Sequence, residues 1–231
     1  RKEIHRIAQF LSMHQSPFWI PHMPSDDRAH SPAAERNSGP ILAVLQALLP
    51  ERGAALEIAS GTGQHAACFG AALPGWTWQP TDATPQGFAS IAAWSADAGA
   101  RNVRPPLLLN VLSDRWPDTG PTFAAPFDLI YCANMLHIAP WACCAGLMRG
   151  AARHLAPTGQ IVTYGPYLEG DVPTAPGNRA FDASLRAQNP DWGLRALSDV
   201  AREAQHAGLQ LAARHALPAN NLLLVWQRIA P

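Results

Sequence analysis

The ten residues from Leu56 to His65, which read LEIASGTGQH, constrain the fold of this chain more than any other segment. They predict a short buried strand with an acidic residue near its end, then a glycine turn, then a helix. Glycines let the backbone pass close to a ligand, and a helix start offers unpaired N–H groups, so such units form nucleotide pockets in α/β proteins. The turn has one glycine fewer than G-x-G-x-x-G and lacks a phosphate-loop lysine, which disfavours a dinucleotide or a triphosphate. A tight turn without a ligand is the alternative.

The composition favours one enzyme-sized domain and excludes several classes of partner. A chain of 231 residues suits a single α/β domain, and its 17 basic residues balance 17 acidic ones. That balance disfavours nucleic acid and anionic membranes, and no apolar run reaches about 18 residues. The four cysteines form no C-x-x-C pair and the nine histidines show no ligand spacing. We therefore expect a cytoplasmic protein with free thiols and no metal.

Alternating strand and helix signals predict the architecture. Strands are expected near 54–59, 76–82, 106–111, 127–133, 160–164, 209–217 and 222–227. Helices are expected near 41–49, 64–73, 85–98, 141–155, 180–188 and 198–207, with a capped turn at 31–37 that Gly39-Pro40 separates from the first helix. This order predicts an α/β, Rossmann-like fold: a seven-stranded, mostly parallel sheet, helices on both faces, and a C-terminal antiparallel hairpin. Residues 1–30 are interpreted as an arm or lid, 31–231 as the main domain, and 165–195 as a substrate-side insertion.

The pattern strand-Glu-x-x-x-Gly-x-Gly resembles the first motif of class I S-adenosylmethionine-dependent methyltransferases. The resemblance implies that Gly61, Thr62 and Gly63 form the cofactor turn and that Glu57 holds the ammonium group of the cofactor. Asp82 follows Gly63 by 19 residues and can accept hydrogen bonds from the ribose hydroxyls.

Three further residues complete the pocket that the resemblance implies. Asn110 can pair with the adenine edge while Val111 covers the ring, although many methyltransferases carry an aspartate where Asn110 stands. Asn134, after the fourth strand, could fix the methionine part of the cofactor.

Longer motifs are similar to one family, the methyltransferase-like family long catalogued as "domain of unknown function 938". The matching segments are SPAAERN at 31–37, LEIASGTGQH at 56–65, CANMLHIAPW at 132–141, FDASLR at 181–186, DWG at 191–193 and PANNL at 218–222. The resemblance covers about residue 25 to the end and implies a class I fold that binds S-adenosylmethionine. The polar, well-capped turn at 31–37 is also expected to approach the cofactor, where Arg36 could pair with its carboxylate and Asn37 lies beside it. A Glu35 or aspartate partner for Arg36 is the alternative.

Acceptor-side residues are expected on the loops after strands four and five, because ligands of open α/β sheets lie at the carboxyl ends of the strands. His137 could act as a base, or it could pack at the next helix start. Tyr164 could line the methyl channel, or it could finish the apolar edge of the sheet. Asn178 lies in the insertion that would cover the pocket. We interpret the chain as a methyltransferase for a small molecule; a non-catalytic cofactor-binding protein and a protein or RNA methyltransferase are the alternatives.

Overall fold

Seven strands form one sheet in the part of the chain that the computed structural model describes, residues 27–230. The strands are β1 (Gly53–Ile58), β2 (Trp76–Asp82), β3 (Leu107–Leu108), β4 (Phe127–Ala133), β5 (Leu155–Gly165), β6 (Leu209–Leu217) and β7 (Asn221–Arg228). The α-helices are α1 (Pro32–Leu48), α2 (Gln64–Ala72), α3 (Phe88–Asp97), α4 (Ala142–His154), α5 (Pro176–Gln188) and α6 (Leu197–His206). Short 3₁₀ turns cover Pro85–Gly87, Met135–His137 and Pro218–Asn220.

The strand order is β3-β2-β1-β4-β5-β7-β6, and only β7 runs antiparallel to its neighbours. β1 pairs in parallel with both β2 and β4, which puts the glycine turn after β1 near the middle of the carboxyl edge. The predicted seven-stranded, mostly parallel sheet with a C-terminal antiparallel hairpin is therefore confirmed.

Helices cover both faces of the sheet, and each face has its own apolar cluster. On one face, Ala55 of β1 lies in a cluster with Ile41 of α1 and Phe69 of α2. On the other face, Leu56 lies in a cluster with Leu147 of α4 and Val200 of α6. Successive strand residues point to opposite faces, so a central strand buried on both must read as a continuous apolar run. The lone charge in β1, Glu57, therefore enters the core.

Helix α1 differs from its prediction, because Gly39-Pro40 does not interrupt it. The predicted cap is present: Ser31 Oγ accepts a hydrogen bond from Ala34 N at 3.3 Å, and Pro32 occupies the first helical position. Pro40 cannot donate to the carbonyl of Arg36, four residues earlier. Arg36 is exposed, so water can bind that carbonyl, and burial of Ile41 and Leu45 holds the helix on the sheet.

Two strands also differ from their predicted bounds. β3 has only two residues, since Pro105 and Pro106 before it have no N–H to donate to a ladder. β5 begins at Leu155, directly after α4, because Leu155 pairs with Phe127 across an irregularity in the β4–β5 register. The carboxyl end of β5 stays within one residue of its predicted place, whereas β3 ends at Leu108, so Asn110 and Val111 follow the strand instead of ending it.

Residues 1–26, most of the predicted arm, lie outside the described residues. At the start of the described chain, Ala29 N donates to Ser90 Oγ at 2.9 Å, and Trp94 Nε1 donates to Ala29 O at 2.8 Å. These two bonds hold the segment that precedes α1 against α3. In the insertion, α5 begins at Pro176, four residues before the predicted start, because proline suits the first turn of a helix.

Among residues 27–230, no helix combines the length and the apolar character needed to cross a membrane. All four cysteines are free thiols, and three of them are buried.

Candidate functional site

The sheet topology brings four predicted site positions to one edge. The four strands lie in the order β3-β2-β1-β4. Asn110 follows β3, Asp82 ends β2, the Gly61 turn follows β1 and Asn134 follows β4. Parallel strands place their carboxyl ends side by side, so these groups form one row. Asn134 adopts φ 60°, and its N–H donates to Tyr164 O at 2.8 Å, which fixes it where β4 meets β5.

The glycine turn contains three left-handed residues, Ala59 (φ 57°), Gly61 (φ 55°) and Gly63 (φ 85°). The two glycines serve different purposes. A Cβ on Gly63 would overlap the Cα of Ile91 in α3, so this glycine permits close packing of the turn on that helix. A Cβ on Gly61 would meet no atom within 4 Å, so the backbone there faces open space. An open, Cβ-free backbone at a helix start is a surface that a ligand can approach closely.

Asp82 and the glycine turn hold each other in position. Asp82 Oδ2 accepts a hydrogen bond from Gly61 N at 3.0 Å, and Oδ1 faces Thr84 N at 3.4 Å. Below them, Thr81 Oγ1 donates to Glu57 O at 2.6 Å, which joins the ends of β1 and β2. Each carboxylate oxygen of Asp82 can accept a further bond, and the side chain is partly exposed. It can therefore receive hydroxyl donors from a ligand that lies over Gly61.

Glu57 is a buried acid at the inner side of this row. Its side chain is 2% exposed, and Oε2 accepts a hydrogen bond from Trp78 Nε1 at 2.6 Å. Burial raises the pKa of Glu57 to about 8; the Trp78 bond opposes that rise, and the charge of Asp82 adds to it. The acid is therefore mostly protonated at neutral pH, and a nearby cation would favour its ionisation.

The start of α1 lies against the glycine turn. Ser31 N donates to Gln64 Oε1 at 2.5 Å, and Thr62 Oγ1 donates to the same oxygen at 3.0 Å. Ser90 Oγ donates to Thr62 O at 2.7 Å, so α1, α2 and α3 are all hydrogen-bonded around the turn. Sequence reasoning missed Gln64 and Ser90; the position of Gln64 directly after Gly63 was the only available signal.

Arg36 and Asn37 lie in the second turn of α1, on the helix that borders the site. Glu35 pairs with His30 at 3.2 Å rather than with Arg36. Burial raises the pKa of Tyr164 to about 12, and the positive charge of Arg36 acts in the opposite direction. Arg36 thus lies near the end of β5, and its contact with a cofactor carboxylate stays a prediction.

Beyond β3, the chain turns sharply at Asn110. The side chain of Asn110 is exposed, whereas Val111 is buried in the cluster with Trp116 and Leu147. Gly146 of α4 lies against the carbonyl of Val111. Asn110 is thus available to a ligand, and the contact of Val111 with a purine ring stays a prediction.

On the acceptor side, the structure favours the packing alternative for His137. The imidazole is fully buried, lies against the backbone of Gly165, and makes an edge contact with Tyr167 at 5.0 Å between ring centroids. Neither ring nitrogen has a hydrogen-bond partner within the described chain. Burial, and to a smaller extent the charge of Arg195, lowers the pKa of His137 to about 3. Such a weak base, closed off from solvent, is poorly suited to take a proton at neutral pH.

Tyr164 and Asn178 also have structural partners. Tyr164 is buried in the cluster beneath α1 and α2. Asn178 Nδ2 donates to Ala219 O and Asn220 O, both at 3.1 Å, while Asn220 Oδ1 accepts from Ala175 N at 3.1 Å. Ala219 and Asn220 both have positive φ, as a type I′ turn requires. Asn178 therefore ties the start of α5 to the β6–β7 loop, and its acceptor role stays a prediction.

Arg195, which sequence reasoning did not select, closes the region over His137. Its guanidinium donates to Leu136 O at 2.8 Å, Ala139 O at 2.8 Å and Asp191 O at 2.6 Å. Nothing in the local sequence marks this arginine, because two of its three partners, Leu136 and Ala139, lie more than fifty residues away. Among residues 27–230, no group of three or more His, Cys, Asp or Glu side chains is placed to hold a metal ion.

Three solved structures with a similar fold are described as methyltransferases. CalO1, a methyltransferase in calicheamicin biosynthesis solved in an SAH-bound form, is 13% identical with a TM-score of 0.68, covering 85% of this chain and 54% of its own. The mitomycin 7-O-methyltransferase MmcR is 16% identical with a TM-score of 0.71, at 85% and 54% coverage. An O-methyltransferase family protein from Burkholderia thailandensis is 19% identical with a TM-score of 0.65, at 86% and 60% coverage.

These identities establish a shared fold, and the chain spans just over half the length of the structures it matches. The sequence itself matches the family described as "Protein of unknown function (DUF938)" over residues 28–228. This match covers nearly the whole chain and agrees with the motifs around the glycine turn and His137. The chain therefore belongs to the DUF938 family, built on the fold of S-adenosylmethionine-dependent methyltransferases.

Proposed function

We propose that this protein transfers the methyl group of S-adenosylmethionine to a small-molecule acceptor. The observation that carries the proposal is the pairing of an open backbone at Gly61 with the Asp82 carboxylate, which is bonded to the same residue. A side chain at 61 would fill the space above the turn, and Asp82 has acceptor capacity left for two hydroxyl groups. A nucleoside with a free ribose fits this arrangement.

The residues of the row would each hold a different part of the cofactor. Asp82 would accept from the ribose hydroxyls, Glu57 would face the ammonium group, and Arg36 would face the carboxylate. The bound cofactor supplies the electrophilic methyl group, so the protein needs chiefly to align an acceptor and exclude water. Glu57 ionises more readily beside an ammonium group, so binding would release a proton from this acid.

A small acceptor is proposed because the formal net charge is zero, with no excess of basic residues to attract nucleic acid. Two of the similar structures are named for calicheamicin biosynthesis and for mitomycin, both small molecules. A cytoplasmic location and the absence of nucleic-acid and membrane partners are part of the same proposal.

Calorimetry with S-adenosylhomocysteine, the demethylated product, tests the site. Asp82→Ala is expected to weaken binding by about 10- to 100-fold, since a charged hydrogen-bond acceptor contributes roughly 1–3 kcal/mol. Asp199→Ala is the matched control, because Asp199 is a half-exposed acid in α6 that pairs with Arg202. Equal affinities for Asp82→Ala and the parent protein would show that the ribose does not lie at Asp82.

A non-catalytic S-adenosylmethionine-binding protein is the second candidate. The observation that favours it is the state of the acceptor side, where His137 is buried and Asn178 is bonded to the β6–β7 loop. Release of S-adenosylhomocysteine from S-adenosylmethionine, measured with panels of phenols, thiols and amines, separates the two. Acceptor-dependent release supports transfer; tight cofactor binding without release by any panel supports the second candidate.

A further inference from the structure

Residues 28–31, the entry segment, precede α1 and donate two backbone hydrogen bonds to side chains that border the glycine turn. Ala29 N donates to Ser90 Oγ at 2.9 Å, and Ser31 N donates to Gln64 Oε1 at 2.5 Å. Ser31 has extended backbone angles, φ −115° and ψ 109°. Alternate residues of an extended chain face the same side, so these two N–H groups can meet one surface.

Both bonds lead to one residue of the glycine turn, Thr62. Ser90 Oγ accepts from Ala29 N and donates its own proton to Thr62 O at 2.7 Å. Gln64 Oε1 accepts from Ser31 N and also from Thr62 Oγ1 at 3.0 Å. The entry segment is thus joined to Thr62 twice, once through the carbonyl of that residue and once through its hydroxyl group.

The two side chains that make these connections are buried, Ser90 at 4% and Gln64 at 8% exposed. Water has little access to them, so a hydrogen bond lost on either side is poorly replaced. Bonds in series also strengthen each other, because a hydroxyl group that accepts one hydrogen bond donates a stronger one. The positions of Thr62 and of the entry segment therefore depend on each other.

The entry segment is also fixed to α3 at a point beyond the turn. Trp94 Nε1 donates to Ala29 O at 2.8 Å, and the guanidinium of Arg28 lies 5.0 Å from the centroid of the Trp94 ring. Arg28 pairs with Asp97 at 2.6 Å. Trp94 lies about one helical turn after Ser90. A change at Trp94 can therefore loosen the entry segment and leave the bond from Ser90 to the turn in place.

We propose that Ser90 and Gln64 are positioning residues through which the entry segment and a ligand over Gly61 stabilise each other. Both select the same conformation of the turn, because moving Thr62 away from its bonds also moves the adjacent backbone of Gly61. Such coupling is reciprocal, so the ligand tightens the entry segment by the factor by which the segment tightens the ligand. The inference rests on the proposed function, since it requires a ligand at Gly61.

Amide hydrogen exchange, measured by NMR on the full chain with and without saturating S-adenosylhomocysteine, tests the coupling. The ligand should slow exchange at Ala29 and Ser31 by about fivefold. Ser90→Ala should abolish the slowing at Ala29 and weaken binding by about fivefold in calorimetry, as expected for one hydrogen bond. Ser95→Ala is the matched control, because Ser95 Oγ donates at 2.7 Å to Ile91 O within α3, and it should change neither quantity.

Trp94→Phe distinguishes the coupling from a role of Ser90 within the turn alone. This variant removes the N–H donor to Ala29 O and keeps an aromatic ring beside Arg28. It alters no bond of the glycine turn, yet the coupling requires that it weaken S-adenosylhomocysteine binding, by about threefold.

The outcomes separate the inference from the proposed function. Equal exchange at Ala29 and Ser31 in the free and ligand-bound parent protein would overturn the inference, while the proposed function stands on the measured binding. Weaker binding by Ser90→Ala with parental affinity in Trp94→Phe would also overturn it, since the effect of Ser90 would then be confined to the turn. Failure of the parent to bind S-adenosylhomocysteine would overturn both.

Discussion

The two sides of the candidate site differ in how their polar groups are used. On the cofactor side, the turn at Gly61 faces open space and Asp82 keeps unused acceptor capacity. On the proposed acceptor side, several polar groups bond to one another, since Gly193 N donates to His137 O at 2.9 Å and Leu194 N donates to Asp182 Oδ1 at 2.7 Å. The two buried ring nitrogens of His137 have no partner among the described residues. The turn at Gly61 is thus open to a ligand, whereas the region around His137 is closed to one.

This difference indicates which part of the candidate site has to move before a ligand can bind. A cofactor can reach the Gly61 turn without rearranging it, because no side chain stands in the way. The ring of His137 is covered from all directions, so no acceptor reaches it in this arrangement. The ring is covered by Gly165 and Tyr167, at and after the end of β5, and Arg195, in the segment between α5 and α6, is held by hydrogen bonds to Leu136 and Ala139.

The largest expected effect concerns the two glycines of the turn, Gly63 and Gly61. Gly63→Ala should lower the free energy of unfolding by about 3 kcal/mol, because the new Cβ overlaps the backbone of Ile91 and φ is +85°. Gly61→Ala, the matched control, should cost only about 1 kcal/mol, for the left-handed φ alone. Urea denaturation measures both, and equal losses would mean that Gly61 is as enclosed as Gly63.

A second prediction compares the two sides through their buried titratable groups. The pKa of Glu57 is about 8 in the folded protein, above its ordinary value of 4.5. Its stabilising contribution is therefore complete below pH 4.5 and is lost as the pH rises to 8. Glu57→Gln should remove this loss, so its free energy of unfolding should rise by about 2 kcal/mol relative to that of the parent protein across that range. The gain is smaller than the pKa difference alone would give, because water and the chain relax around a buried charge.

His137 supplies the opposite case and therefore the control. Its pKa is about 3 in the folded protein, below 6.5, so the stability that it protects is lost as the pH falls from 6.5 towards 3. His137→Phe should flatten the acid side of the stability profile and leave the range from pH 7 to 8 unchanged. Profiles in which Glu57→Gln follows the parent from pH 4.5 to 8 would show that Glu57 is solvated, and the cofactor side more open than described.

Sequence patterns predicted the fold best where apolar runs are bounded by turn residues. β4 at Phe127–Ala133 and β6 at Leu209–Leu217 have the predicted bounds. The pattern misled at Pro40, because a local rule about proline ignores the burial of Ile41 and Leu45 that keeps α1 continuous. The pattern also predicted too short an α5, because the one buried residue of that helix, Leu185, gives little periodic signal.

The same contrast explains what could be predicted of the site. The cofactor-side residues lie in one short segment and at strand ends, so spacing along the chain brings them to a common edge. The acceptor side depends on pairs distant in sequence, such as Asn178 with Asn220 and Arg195 with Leu136. No local pattern encodes those pairs, so the sequence alone reveals neither the bonds of Asn178 to the β6–β7 loop nor the position of Arg195.

The smallest expected effect tests whether the acceptor side is held by its own hydrogen bonds. Asn178→Ala removes two bonds to the β6–β7 loop and should lower the free energy of unfolding by about 1 kcal/mol. Amide hydrogen exchange should quicken in residues 176–188, while affinity for S-adenosylhomocysteine changes less than about twofold. Gln188→Ala is the control: Gln188 lies at the other end of α5, where it bonds to Ser184, and its substitution should change neither quantity. A tenfold loss of affinity with unchanged exchange would place Asn178 in the ligand site and contradict the closed, self-bonded acceptor side described above.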